Sequence, residues 1–221
     1  MEFSIAQQFT ILSLHPEKGT RIMDGYHFGY SLAGACLMDF YRNGEILYSD
    51  KRIHPSTPRT IDPYHDRLIQ IVKEYPRPRK AGYWIRKLSW GRRKNFLEVI
   101  SILESRGIVS DEKLYFLGFI PYHRYHLNDK SIRNEIVEKL RKVVIGGMIP
   151  DPEKLMLLCL LRTSGATRIL ANDWNERGIV RSACRQLMRR DENGSEAEKF
   201  VRAVAYAVRD EIASSEATHS A

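Results

Sequence analysis

Apolar residues recur every three or four positions through most of the chain, which is the spacing of one face of an α-helix. A clear example contains Ile132, Ile136, Leu140 and Val144. A glycine, or an aspartate followed by proline, marks several ends of these segments, as is typical of helix stops and starts. We therefore predict helices over residues 4–14, 31–43, 63–75, 80–90, 92–106, 131–145, from 152 onward, 176–190 and 196–212.

Two shorter segments predict β-hairpins instead. In "EILYSDKRI" (45–53) the turn is expected at Ser49-Asp50, and in "IVSDEKLYFLGFI" (108–120) strand-forming residues flank a Ser-Asp-Glu-Lys turn. The pattern thus predicts a mainly α fold, a single helical domain over residues 1–213 with two short β-hairpins. The small, polar residues 214–221 are predicted to be a disordered tail.

The composition limits the class of protein. The chain has 221 residues, of which 43% are hydrophobic, so a sizeable core can form. Its longest fully apolar run, "LMLLCLL" (155–161), is much shorter than the ~20 residues of a spanning helix. The N-terminus lacks the basic start of a secretion signal, and three distant cysteines in apolar helical patterns predict buried, reduced thiols. We expect a cytoplasmic protein whose contact with membranes is peripheral.

Candidate chemistry for catalysis is missing from the sequence. It contains no phosphate-binding glycine loop and no nucleophile motif. His123 and His126 are three residues apart in a segment that is not predicted to be helical, and the spacing does not complete a metal site. We expect no enzyme activity, no catalytic residue, no cofactor and no bound metal.

Positive charge is concentrated in one part of the chain. The formal net charge is +8, and residues 77–94 contain eight cationic residues and no acid. Exposed helices usually alternate charges to form i,i+4 ion pairs, so this stretch predicts a surface that faces an anionic partner rather than an ordinary solvated helix. Its helical part contains Arg86, Lys87, Trp90, Arg92, Arg93 and Lys94.

A second basic feature lies near the C-terminus. Arg177, Arg181, Arg185 and Arg189 are four residues apart, which places them on one face of the predicted helix. The acids that follow, at positions 191 and 192, dilute this charge. Either a second anion-facing surface or a protein-binding stripe is consistent with the pattern.

The second predicted hairpin is unusually apolar. Tyr115, Phe116, Leu117, Phe119 and Ile120 crowd six positions, so that both faces of the hairpin are apolar. One interpretation is a hairpin that is buried against helices. The other is an apolar surface that inserts into a membrane or packs on a second copy of the chain.

Several segments together resemble the Golgi phosphoprotein 3 family. They follow one another in order along nearly the whole chain, and their order and spacing are more specific than any one of them. They are "LSLHPEKG" (12–19), "YSLAGACLMDFYRNGEI" (30–46), "RPRKAGYWIRKL" (77–88), "FLEVISILESRGIV" (96–109) and "VVIGGMIPDPEKLMLLCLL" (143–161).

The resemblance implies a helical core ringed by amphipathic helices, and a peripheral membrane protein that binds the headgroup of phosphatidylinositol 4-phosphate without catalysis. It implies that the hairpin aids membrane insertion or self-association. The family's four pocket positions fall near Asp24, Ala33, Arg93 and Phe96, and only Arg93 matches the family's residue type. The chain begins almost directly at the matching region, as expected of a prokaryotic-type member.

These expectations lead to one main hypothesis and two alternatives. The main hypothesis is binding to an anionic phospholipid surface. Arg92, Arg93, Lys94, Trp90, Arg86 and Lys87 would then bind the headgroup, and Tyr115, Phe116, Leu117 and Phe119 would form the membrane or oligomer hairpin. The alternatives are an assembly or adaptor module that uses the hairpin, and a nucleic-acid-binding module that uses residues 77–94. We expect a possible homo-oligomer and no specific nucleic acid.

Overall fold

Helices dominate the fold. The computed structural model describes residues 2–56, 63–75, 77–117, 119–189 and 193–219. Its α-helices are α1 (Ile5–Ser13), α2 (Gly25–Arg42), α3 (Pro63–Lys73), α4 (Ala81–Leu88), α5 (Arg92–Ser105), α6 (Lys130–Val144), α7 (Pro152–Thr163), α8 (Trp174–Leu187) and α9 (Glu196–His219). Strands β1 (Ile46–Ser49) and β2 (Arg52–Pro55) form one antiparallel hairpin, and β3 (Val109–Phe116) and β4 (Ile120–Leu127) form another. A mainly α fold with two short hairpins is therefore confirmed.

Helix α2 lies at the centre of the core. It packs against α1, α4, α5, α7 and α9, and every residue from 31 to 40 is buried. Its small residues permit this close packing. A Cβ added at Gly34 would lie 2.9 Å from Val208 Cγ2 and 3.2 Å from Leu160 Cδ2, so α7 and α9 approach α2 where the side chain is missing.

A buried carboxylate joins the first helix to the second. Asp39 on α2 is 0% exposed and accepts hydrogen bonds from the backbone N–H groups of Ile5, at 2.8 Å, and Ala6, at 2.9 Å. These N–H groups belong to the first turn of α1, where the helix itself provides no carbonyl acceptors for them. The His65 side chain approaches the same carboxylate at 3.3 Å. Asp39 therefore fixes the N-terminal end of α1 on the core.

The first hairpin is short and its turn lies one residue later than predicted. Its register pairs Ser49 with Arg52, and Asp50 and Lys51 both have left-handed backbone angles, with φ of 50° and 58°. Two such residues match the twist of the strands in a tight hairpin turn. Ile53 also exchanges backbone hydrogen bonds with Arg79, which attaches the start of the basic segment to this hairpin.

The second hairpin is longer than predicted, and its turn was placed wrongly. The Ser-Asp-Glu-Lys stretch lies inside β3, and the chain reverses between Phe116 and Ile120. The reason is that the two acids are used across the strands. Asp111 contacts His123 at 2.7 Å and Glu112 contacts His126 at 3.0 Å. Such cross-strand pairs stabilise residues that otherwise favour turns.

Two helices extend beyond their predicted ends. Helix α2 begins at Gly25 because the Asp24 side chain accepts hydrogen bonds from the backbone N–H groups of Tyr26 and His27. Helix α9 continues to His219, so the structure places helix where residues 214–219 were predicted to be a disordered tail. The predicted cap of α3 at position 62 lies outside the described residues.

The three cysteines are buried and none forms a disulfide, as the sequence indicates. Burial raises the pKa of the Cys159 thiol to about 12 and that of Cys184 to about 11. Thiols with pKa values this high remain protonated and unreactive at neutral pH. The cysteines therefore contribute to packing.

Replacement of the buried carboxylate tests its role in the core. We expect Asp39→Ala to lower the free energy of unfolding by about 3 kcal/mol or more, because buried donors lose their acceptor. Urea denaturation measures this as a lower midpoint at an unchanged slope. The matched control is Asp210→Ala, which removes an exposed pair with Arg209 and should cost less than ~1 kcal/mol. Equal losses in the two variants would contradict the account.

Candidate functional site

The start of α5 is strongly cationic. Its first three residues are Arg92, Arg93 and Lys94, and the preceding Gly91 has φ of 74° and provides no side-chain cap. The N-terminal end of a helix carries partial positive charge from its free N–H groups. Three cations at this end repel both one another and the helix dipole. The arrangement is therefore unfavourable by itself and suited to an anion.

Buried polar contacts hold this helix end in place. Asn95 is 3% exposed, and its side chain donates to the Leu88 carbonyl at 2.8 Å, which connects the end of α4 to the first turn of α5. The Asn95 side-chain oxygen accepts from the Arg67 guanidinium at 2.6 Å. The three cations therefore project from a rigid position.

An open groove of about 1440 Å³ runs past these cations. One side is the first half of α5, another is the loop before α2, and the third is β4 of the second hairpin. The lining includes Gly19, Arg21, Gly25, Trp90, Arg92, Arg93, Lys94, Phe96, Leu97, Glu98, Tyr122, His123 and Tyr125.

Arg92 is held between α5 and α2. A Cβ added at Gly29 would lie 2.3 Å from both Cγ and Cδ of Arg92, so the arginine stem occupies the space that a side chain at Gly29 would take. The guanidinium carbon then lies 4.0 Å from the centre of the Tyr26 ring. This is a favourable cation–π contact, and it fixes the direction of the charge along the groove.

Arg93 and Lys94 are exposed and weakly compensated. The Lys94 ammonium is 3.9 Å from Glu98, but Arg67 already binds that carboxylate at 2.6 Å. The structure describes no carboxylate within ion-pair distance of Arg92 or Arg93. The positive charge of the groove is thus available to a ligand.

Arg21 adds a cation that the sequence did not suggest. Its guanidinium lies 5.1 Å from the Phe96 ring centre and 5.4 Å from that of Phe28. Burial lowers the pKa of Arg21, and the nearby Asp24 opposes this shift. Arg21 belongs to an irregular loop, so no periodic pattern points to it. Only tertiary packing brings it to α5.

The hairpin forms the third side because its base is fixed to the same loop. The Tyr125 backbone N–H donates to the Gly19 carbonyl at 2.7 Å. Gly19 has φ of 62°, and a Cβ there would lie 2.8 Å from the His126 ring. Burial raises the pKa of the Tyr125 hydroxyl, and Asp111 raises it further. The Tyr125 ring packs edge-on against Phe96.

The other predicted headgroup residues lie in different surroundings. Trp90 lines the groove and is 68% exposed, and the Lys87 ammonium lies 5.0 Å from its ring centre. Arg86 points away from the groove, because its guanidinium binds both oxygens of Glu211 on α9, at 2.8 and 3.0 Å. Arg86 is therefore not part of the groove lining, and a carboxylate from a distant helix balances its charge.

The end of the second hairpin is an exposed apolar surface. Leu117 and Phe119 are 70% and 71% exposed, and Tyr115, Phe116 and Ile120 are exposed as well. The interpretation in which these side chains are buried against helices is wrong. The strand that lines the groove therefore leads directly to an apolar tip.

Side chains that could bind a metal ion do not form a cluster in the described residues. No three or more histidine, cysteine or acidic side chains among them are arranged to hold an ion. The two hairpin histidines, His123 and His126, each contact a single carboxylate.

A comparison with known protein families shows to which family the chain belongs. The family model described as Golgi phosphoprotein 3 matches residues 5–210. The chain belongs to the Golgi phosphoprotein 3 family. No curated protein matches it at a significant level. Within the described residues, no helix combines the length and apolarity required to cross a bilayer.

The family's pocket positions take different roles in this member. Asp24 caps α2, Ala33 is buried in the core at 2% exposure, and Phe96 supports Arg21. Arg93 alone combines the expected residue type with a place in the groove. The cationic character of this groove therefore comes mainly from the first turn of α5 and from Arg21.

The close approach at Gly29 provides a test of the groove geometry. Under the hypothesis that the groove binds an anionic phospholipid surface, we expect Gly29→Ala to displace the stem of Arg92 and to weaken binding of anionic vesicles roughly tenfold, equivalent to ~1.4 kcal/mol, while the protein stays folded. Binding is measured by vesicle co-sedimentation, and folding by circular dichroism. The control is Gly82→Ala on α4, where the new methyl meets only Glu211 at 3.8 Å. Equal vesicle affinity in the two variants would contradict this role of Arg92.

Proposed function

We propose that this protein is a non-enzymatic, peripheral membrane protein that binds anionic phospholipid headgroups in the groove at the start of α5. The observation that carries the proposal is the combination of two surfaces. Three uncapped cations, Arg92, Arg93 and Lys94, begin α5, and the strand that lines their groove leads to an exposed apolar tip. Membership of the Golgi phosphoprotein 3 family supports the same function.

Electrostatics favours a phosphate-bearing ligand. A phosphate oxygen near the first turn of α5 would accept hydrogen bonds from free backbone N–H groups. The planar guanidinium groups of Arg92 and Arg93 suit bidentate binding of the same group. Each cation near an anionic bilayer contributes about 1 kcal/mol, so the three together give roughly 3 kcal/mol.

The hairpin tip adds an apolar contribution. Phe116 and Leu117 would each gain ~1.5–3 kcal/mol if fully transferred to an apolar environment. With the electrostatic part, the total suits reversible docking rather than permanent anchoring. Exposed charges are screened by salt over ~10 Å at 0.1 M. The account therefore expects an association that is sensitive to ionic strength.

The headgroup itself is part of the proposal. Phosphatidylinositol 4-phosphate is the ligand that the family suggests, and the groove retains Arg93 from the family's pocket. At Phe96, where the resemblance implies a second arginine, the guanidinium of Arg21 lies over the ring at 5.1 Å. A second cation thus reaches the same place from another part of the chain. This geometry supports recognition of a phosphorylated headgroup.

A second candidate function is self-assembly through the hairpin. The exposure of Leu117 and Phe119 favours it, because exposed apolar patches mark contacts with proteins as well as membranes. Nucleic-acid binding has less support, since Arg86 is paired with Glu211 and does not join a continuous basic stripe.

Charge removal tests the groove. We expect the triple variant Arg92→Gln, Arg93→Gln, Lys94→Gln to bind phosphatidylglycerol-containing vesicles about a hundredfold more weakly, because ~3 kcal/mol of attraction is lost. Flotation of vesicles at two salt concentrations measures it. The control removes the same charge elsewhere, through Lys130→Gln, Lys139→Gln and Lys199→Gln, three lysines that pair with acids. Equal loss in both variants would mean that only overall charge matters.

Acidic substitutions test the hairpin tip. We expect Phe116→Asp with Leu117→Asp to weaken vesicle binding at least tenfold, because charged side chains cannot enter the acyl boundary. Leu47→Asp serves as control, since Leu47 is 56% exposed on the first hairpin. Size-exclusion chromatography with light scattering follows assembly in parallel. Loss of an oligomer with unchanged vesicle binding would favour the assembly function, and no effect on either would exclude both roles of the tip.

A further inference from the structure

Helix α8 carries an unusual charge pattern. Arg177, Arg181 and Arg185 are exposed at intervals of four residues, and Arg189 continues the spacing just beyond the helix. The sequence contains no acid between the first and the last of these arginines. Like charges four residues apart destabilise a helix, so the pattern requires another reason.

The other charged helices behave differently. On α6, Lys139 pairs with Glu135 at 2.6 Å, and on α9, Arg202 pairs with Glu198 at 3.4 Å. Across the parts of the chain that the structure describes, no carboxylate lies within ion-pair distance of the four arginines near α8. Helix α8 therefore shares with the start of α5 a group of arginines without acidic partners in the described chain.

The one acid of α8 is turned away from these arginines. Glu176 binds the Arg141 guanidinium of α6 at 2.8 Å and accepts from the Asn172 backbone N–H at 2.7 Å. The hydrogen bond from Arg141 lowers the pKa of the Glu176 carboxyl to about 2. This carboxylate fixes the start of α8 on the core and leaves the arginine face positive.

Apolar side chains accompany the arginines. Trp174 opens α8 and is 78% exposed, and the Arg177 guanidinium lies 5.1 Å from its ring centre. Ile179, five residues further along α8, is also exposed, at 56%, on another side of the helix. Tryptophan and arginine together are typical of surfaces at the boundary between water and lipid.

Contacts connect the start of α8 with the groove. The 3-10 helix Thr167–Leu170 packs against α8. Its Arg168 donates to the Ile22 carbonyl at 3.5 Å. Ile22 belongs to the loop whose Arg21 and Gly25 line the groove. The loop thus contacts the 3-10 helix, and the 3-10 helix packs against α8.

We propose that the exposed face of α8, with Trp174, Arg181 and Arg185, is a second contact with the anionic bilayer. The inference rests on the proposed function, since it extends the same docking event. Phosphate groups of anionic lipids are spread over the surface and complement arginines repeated at ~6 Å intervals along a helix. A single groove fixes position only, whereas two separated contacts also fix the tilt of the protein on the membrane.

Tryptophan fluorescence tests this contact directly. The chain has three tryptophans, of which Trp84 is 0% exposed. In a Trp90→Phe variant, the exposed emission therefore comes from Trp174. The protein is bound to phosphatidylglycerol vesicles with and without brominated acyl chains, and the bound fraction is collected by flotation. We expect brominated vesicles to cause loss of the Trp174 emission, and no loss in a control that also carries Trp174→Phe.

The outcomes separate the two proposals. Floated protein whose Trp174 emission is unchanged by bromine would overturn the α8 contact and leave the groove proposal intact. Absence of floated protein at any lipid concentration, in the unsubstituted chain with Trp90 intact, would overturn the proposed function, and the α8 contact with it.

Charge substitution provides a second measurement. We expect Arg181→Gln with Arg185→Gln to weaken vesicle binding ~30-fold, and the control pair Lys139→Gln with Lys199→Gln to have a much smaller effect. Equal effects would overturn the contact. The contact would also be overturned if the Arg181→Gln, Arg185→Gln variant bound duplex DNA more weakly but bound vesicles with unchanged affinity. The arginines of α8 would then bind nucleic acid.

Discussion

The close approach of α5 to α2 at Gly29 determines how the fold and the candidate site are related. Helix α2 is the centre of the core, and the stem of Arg92 lies directly against its backbone, where a Cβ would be 2.3 Å away. The first turn of α5 is thereby fixed beside the loop that precedes α2. The same loop receives the second hairpin through the bond from Tyr125 to Gly19. These two contacts together assemble the three sides of the groove.

The groove is positively charged because the cations at the start of α5 have too few acidic partners. Several other cations of the described chain pair with acids, as Arg86 does with Glu211 and Arg141 with Glu176. At the start of α5, the acid of the lining, Glu98, is already bound by Arg67. The cations therefore remain at the positive end of a helix, which is unfavourable until an anion arrives. Stability is given up locally, as expected of the proposed binding site.

Sequence reasoning predicted the elements whose information is local. Helix α6 follows from its apolar spacing, and α7 from Asp151, whose side chain accepts from the Lys154 N–H. The turn of the second hairpin was misplaced because Asp111 pairs across the strands with His123. Arg86 was included among the headgroup residues, and Arg21 was not predicted, for a related reason. The partner of Arg86 is 125 residues away, and Arg21 reaches the groove only through tertiary packing, so neither leaves a periodic signal in the sequence.

The most direct test of the central claim is a titration of the arginine side chains by nuclear magnetic resonance. Soluble short-chain phosphatidylinositol 4-phosphate is added to protein with labelled arginine Nε–H groups, and single Arg→Lys variants assign the signals. The account predicts saturable shifts for Arg92, Arg93 and Arg21, with Arg86 unchanged, because Arg86 stays bound to Glu211. Shifts at Arg86 and distant arginines alone, or none at the groove, would contradict it.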